Sequence, residues 1–313
     1  MHLRRRGPPR AALAAVALAA LGAAPDGAQT WTGRPPDEAL RAIEDRGRFI
    51  ARYVDAVVKA RAVFAREGQA LAQPDDVVAL EGRDGWRVVF VKDTGKLSSP
   101  GIPRQGTAIL AETDYAPDTG EVGPLRAMEP PRAAPSSTVS SARALEVAMK
   151  AAADRRQPAG PPYDAAVYRE KDATFTVYLM SKGEKESDVV FGGDLVARVA
   201  PSGRQLVSLE PLHSETSIVP LAGHPAAQPT IHVHPTDDLP TPTDVALVVL
   251  HAATAPHLIM TPHSIFRVEA RGTLTYIGPN QAPRAGPATP EAGPPVSPAG
   301  SSGAPPAGPG GGS

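Results

Sequence analysis

Ile231–Leu250 reads IHVHPTDDLPTPTDVALVVL. His232 and His234 stand two apart in a β-compatible run, and alternate residues of a strand share a face, so both imidazoles can reach one point. Pro235 ends the strand, and Thr236–Leu239 forms a polar loop. Thr241-Pro242-Thr243-Asp244 then opens an apolar helix predicted over Val245–Ala253, with Thr241 suited to the N-cap and Pro242 to the first helical position. A carboxylate at that helix start is delivered toward the two-histidine strand. Two imidazoles, one carboxylate and an open position make the donor set of a catalytic zinc site. The same residues have plainer readings. Asp244 also completes a capping box with Thr241, and the two histidines also suit a strand that binds nothing.

Around this stretch the histidines are concentrated: seven of the eight fall between His213 and His263. The succession HVHP…PTPTD resembles the motif of JAB/MPN (JAMM) metallopeptidase domains, in which an upstream Glu precedes His-x-His-Pro and then Ser/Thr-x-x-Asp at a helix start. The resemblance covers about Val189–Gly278. It implies a JAB-like α/β domain with His232, His234 and Asp244 as zinc ligands and Thr241 at the hydroxyl position. It further implies a zinc-dependent hydrolase of peptide or isopeptide-type amides acting on a peptide or protein substrate. The His234-to-Asp244 interval is one residue shorter than the family's usual spacing. Where the family places its general-base Glu, this chain has Val190-Phe191-Gly192-Gly193, which leaves Glu210 or Glu215 as candidate bases. The alternative is a non-catalytic envelope protein, a binding or scaffold module with a degenerate JAB-like domain. His251 and His257 flank the predicted helix–strand joint and read as structural or solvent-exposed; His213, His224 and His263 sit beside loop signals without an assigned role.

Upstream, Leu40, Ile43, Ile50, Val54, Val57 and Phe64 recur at helical steps, which predicts a helix over Asp37–Arg66 that ends at Gly68. Trp86–Val91 and Thr107–Tyr115 read as strands bounded by turn residues, and Glu129–Ser141 reads as a proline- and serine-rich linker before a helix at Ser140–Arg156. Thr174–Met180 alternates as a half-buried strand should. Asp188–Val199 reads as a strand pair with a bulge at Gly192-Gly193, and Gln205–Leu209 follows a Pro-Ser-Gly turn. YAPDTGEVGPLRAMEP at Tyr115–Pro130 and VAPSGRQLVSLEP at Val199–Pro211 suggest a duplicated hairpin unit. The fold class expected is α+β: a helix and β-hairpin region at 35–180, then the JAB-like domain at 189–278.

The ends of the 313-residue chain differ from this body. Arg4, Arg5, Arg6 and Arg10 precede the apolar run Ala11–Ala24, the pattern of an export signal (1–24) that is too short to span a membrane. Pro279–Ser313 carries 10 prolines and 8 glycines in 35 residues and is expected to be a disordered tail. Removing the signal takes four arginines from 32 basic residues against 33 acidic ones, a net charge of −5. That balance argues against nucleic acid as a partner. The absence of cysteine excludes disulfides, thiolate metal ligands and a cysteine nucleophile. No G-x-S-x-G elbow, P-loop or G-x-G-x-x-G follows a strand. The expected location is periplasmic or secreted.

Overall fold

The apolar stripe of the N-terminal segment folds as helix α1, Asp37–Glu67, with Leu40, Ile43, Ile50, Val54 and Val57 buried along one side. It ends where predicted: the Gly68 N–H donates to the Phe64 carbonyl at 2.7 Å. The computed structural model describes residues 33–281 apart from 84, 97–105, 156–162, 186 and 223–227. The export signal read at 1–24, His224, and all but the first residues of the tail lie outside the described residues. Among those that are described, no helix is long and apolar enough to cross a membrane.

The class is mixed α+β, with mostly antiparallel sheets. After α1 come β1 (Asp76–Glu81), β2 (Trp86–Asp93), β3 (Thr107–Ala116), the short β4 (Glu121–Val122) and β5 (Arg126–Ala133). They form an antiparallel sheet in which β1, β2, β3 and β5 lie side by side in chain order. Helix α2 (Ser136–Arg155) opens a second round, with β6 (Tyr163–Arg169), β7 (Phe175–Ser181), β9 (Leu195–Val199) and β10 (Leu206–Pro211) again side by side. A helix followed by a four-stranded antiparallel meander therefore occurs twice. The two sequence segments that suggested duplication occupy comparable places, each running from the end of the third strand of its meander, through a turn, into the last strand, with β4 intervening in the first copy. Both turns use a glycine with positive φ, Gly120 (69°) and Gly203 (72°), a conformation glycine adopts without steric cost. Gly203 has a second reason: a Cβ there would lie 2.2 Å from the Ser140 carbonyl oxygen of α2.

Three local readings change. The linker expected at Glu129–Ser141 is the end of β5 and the start of α2. Pro130 and Pro131 are tolerated because β5 pairs on one side only, and the register slips between the Ala127 and Arg132 pairings. The pair expected at Asp188–Val199 is not a hairpin. Gly192 (φ 92°) and Gly193 (φ 71°) turn the chain so that β8 (Asp188–Gly192) pairs with β11 (Thr216–Pro220), while β9 joins β7 and β10. Gly192 is obligatory at that turn, since a Cβ would meet the Glu215 carbonyl oxygen at 2.0 Å. Finally, β1, β6 and β11 lack a signal that was read from sequence.

The last part of the body is β12 (Thr230–Val233), helix α3 (Pro242–Leu250), β13 (His257–Met260), β14 (Ser264–Val268) and β15 (Leu274–Pro279). β12 and β13 run parallel, joined by α3, and β14 and β15 extend the sheet antiparallel. One core runs from α1 through both meanders to α3 and β14. The first sheet is buried on both faces: Val77, Ala79, Val88 and Phe90 enter that core. Val78, Val89, Val91 and Ile109 pack with Ala142 of α2 in a smaller one. The crossing of α1 over α3 is tightest at Gly47, where a Cβ would fall 2.5 Å from Val245 Cβ and 2.7 Å from the Pro242 carbonyl oxygen.

Candidate metal centre

β12 alternates as its sequence requires: Thr230 and His232 point inward with His234 just beyond the strand, while Ile231 and Val233 point outward. Helix α3 starts with its capping box formed. The Asp244 N–H donates to Thr241 Oγ1, and Asp244 Oδ2 accepts the Thr241 N–H at 2.7 Å and the Thr241 hydroxyl at 2.9 Å. Capping occupies one carboxylate oxygen. The other, Oδ1, lies 3.2 Å from His232 Nε2 and 2.9 Å from His213 Nε2. The two readings of Asp244 are thus compatible, because a carboxylate has two oxygens.

His232, His234 and Asp244 converge as expected, and His213 joins them from the β10–β11 connection. The ligand atoms of all four lie within 4.8 Å of one another, every one of these residues is buried, and together they could hold a metal ion. Bonds of about 2.0–2.2 Å to a tetrahedral ion put ligand atoms roughly 3.3–3.6 Å apart. Here His232 Nε2 and His234 Nε2 are 2.8 Å apart, and His234 Nε2 is 3.3 Å from Asp244 Oδ2. Glu210 is half-buried on β10 opposite Val196, and Glu215 is exposed just before β11; neither belongs to the converging group. The acid beside it is Asp194, fully buried between β8 and β9. Asp194 Oδ1 accepts the Ser181 N–H at 2.8 Å, while Oδ2 lies 3.9 Å from His213 Nδ1. Neither of those last two atoms has a hydrogen-bond partner among the described residues.

Hydrogen-bond direction decides what the histidines present to the centre. A carbonyl only accepts, so His234 donates from Nδ1 to the Leu239 oxygen at 3.2 Å, which leaves Nε2 of the neutral ring as a lone pair. His232 Nδ1 is engaged by His257 Nε2 at 2.6 Å, turning its own Nε2 inward as well. His257, the first residue of β13, is entirely buried and stacks on Phe191 with centroids 4.1 Å apart. Burial pushes its imidazole down to about 3, so it stays neutral.

Charge is arranged around the carboxylate. Burial opposes the ionisation of Asp244, but His213, His234 and His232 around it hold its carboxyl well below the usual range. Burial likewise opposes the charge of His213, and Asp244 and Asp194 together raise it to about 9. Burial raises Asp194 to about 7 against the pull of His213. An anionic carboxylate beside the ring nitrogens of His232 and His234 attracts a cation, and a metal ion bound through His213 as well would displace the proton that ring holds against Asp244.

His213 was missed because spacing carries no information about it: 18 residues, a strand among them, separate it from His232. The signal that could have found it was the crowding of histidines in this third of the chain. No family model, no curated protein and no solved structure matches the chain.

Proposed function

We propose that this chain is an exported protein that binds one zinc ion through His213, His232, His234 and Asp244, and that the ion locks the β10–β11 connection, β12 and the start of α3 together. The observation that carries the reading is the burial of His213, His232, His234 and Asp244 with their ligand atoms all within 4.8 Å of one another. Three imidazoles and one carboxylate without thiolate suit zinc, whereas calcium and magnesium favour all-oxygen shells. A fourfold, buried protein donor set is the form of a structural site, since a catalytic one keeps a position open. This favours the non-catalytic binding or scaffold reading of a JAB-like domain in the periplasm or outside the cell.

One observation favours the hydrolytic reading: Asp194 and His213 face each other through otherwise unpartnered atoms. In that version the ion takes His232, His234 and Asp244, while His213, oriented by Asp194, holds a proton beside the open position. Zinc bound there would supply Lewis acidity toward an amide carbonyl.

Elemental analysis of the mature protein tests the shared premise, with one zinc per chain expected and its loss in His232→Ala. X-ray absorption separates the two versions: three histidines per zinc supports the closed site, and two supports the hydrolytic one. A parent protein that takes up no zinc overturns both. N-terminal sequencing of the protein secreted by an expressing cell tests export, with cleavage near residue 24 expected.

A further inference from the structure

We propose that Thr230 and His257, neither of which faces the ion, are positioning residues that fix the tautomer of His232 and so hold the centre ready for its metal; this rests on the metal reading above. Hydrogen-bond direction is forced from the far end. The Thr254 carbonyl can only accept, so the single proton of the Thr230 hydroxyl goes to it, at 2.5 Å. Thr230 Oγ1 then accepts from His257 Nδ1, also at 2.5 Å, which makes His257 the Nδ1–H tautomer. His257 Nε2 is left to accept, at 2.6 Å, from His232 Nδ1. His232 Nε2 is therefore bare, on the side where His234 and Asp244 wait.

The fold supplies each link. In the parallel pairing of β12 with β13, Thr230 stands opposite His257, so the ring of His257 reaches between Thr230 and His232. Phe191 of β8 lies flat against both rings, with interplanar angles of 8° to His257 and 18° to His232. All three polar members are buried, so water has no route to reverse the order. A network that merely joined β12 to β13 would have no need of a direction. This one has a direction, and it ends at a metal-facing nitrogen. Outer partners of this kind typically contribute 10–100-fold to metal affinity.

The test is long-range ¹H–¹⁵N correlation spectroscopy on the imidazoles, with and without zinc, combined with zinc titration of Thr230→Val and Thr230→Ser. Both His232 and His257 are expected as Nδ1–H tautomers in the metal-free parent. Thr230→Val keeps the side-chain shape but removes the hydroxyl; it should weaken zinc binding by roughly 10–100-fold and give His257 a mixture of tautomers. Thr230→Ser should restore both. An Nε2–H tautomer for His257 in the parent, or an unchanged zinc affinity in a folded Thr230→Val protein, overturns the inference. If Thr230→Val does not fold, the tautomers of the parent decide alone. A parent that binds no zinc sinks the metal reading instead, and its imidazole spectra still report on the relay.

Discussion

Asp244 shows how much one side chain can be asked to do. Its Oδ2 caps α3 and its Oδ1 faces His213 and His232. Replacement by asparagine separates the two roles. The amide oxygen of Asp244→Asn can still accept from Thr241, while the amide N–H₂ group meets the His213 donor and the His232 ring in place of an anionic oxygen. Zinc affinity should fall by more than the roughly 100-fold upper end for an outer partner, and thermal stability measured in chelator at pH 7 should fall as well, because His213 loses the buried anion that raises it. Thr241→Ala should instead lose about 1 kcal/mol of cap stability and only a little zinc affinity in denaturant and zinc titrations. Spacing made His232, His234 and Asp244 legible because all three lie on one short strand–loop–helix passage. Asp194 and His213 come from the β8–β9 and β10–β11 connections, and their approach depends on where Gly192 and Gly193 send the chain. No local pattern encodes that destination.

Elements place the site by leaning on one another, and α1 bears on α3 at Gly47. There the neighbours are the Pro242 carbonyl and Val245, on either side of Asp244. Gly47→Ala would gain helix propensity of about 1 kcal/mol in isolation. Its methyl group nevertheless meets backbone that cannot yield, and overpacking of this kind costs about 1–3 kcal/mol. The expected outcome is a lower melting temperature together with weaker zinc binding, because α3 must shift; unchanged zinc affinity would mean that α1 does not position Asp244. A second contact of α1 involves charge. Arg46 binds Glu170 at 2.8 Å, reaches the Tyr178 hydroxyl at 3.2 Å and stacks over Tyr168 at 3.5 Å. Burial raises the Glu170 carboxyl, but Arg46 and the Thr176 hydroxyl outweigh it and the net shift is downward. A depressed carboxyl contributes stability above its unfolded-state value, near pH 4.5, and loses it as pH falls through the folded value. Unfolding free energies of Glu170→Gln from urea titration should therefore be lower at pH 7, by roughly 1–3 kcal/mol for a part-buried charged hydrogen-bond pair, with the gap to the parent narrowing in acid. A gap that stays constant down to the acid limit would refute the assignment. The long helix was legible from its clean period, and β2 and β3 from strand-forming residues bounded by turn signals. β5 was not, since its prolines carry the signature of a linker and only a one-sided edge strand makes them acceptable.

At the scale of the molecule, the sequence suggests a helix–hairpin region followed by another domain, while the structure shows one core continuous from α1 to β14. The second meander is interrupted by β8, which pairs with β11 and carries Phe191 against the histidines. The four residues that could hold a metal thus come from three segments anchored in different parts of that core: the connection after the second meander, the parallel strand with the residue just beyond it, and the start of the helix packed on α1. A ligand that binds only the folded state stabilises it by about 4 kcal/mol at a thousandfold excess over Kd. For a body of this size that corresponds to roughly 8–16 °C in melting temperature. Because the core is shared, the whole unfolding transition should move: calorimetry with zinc and with chelator should each show a single peak, displaced by that amount. His232→Ala should melt at one temperature under both conditions. If zinc instead split the transition, shifting only a later portion while the first meander melted as before, the ligands would be tying together a separable C-terminal part, and the continuity of the core would not be transmitting their bond energy to α1.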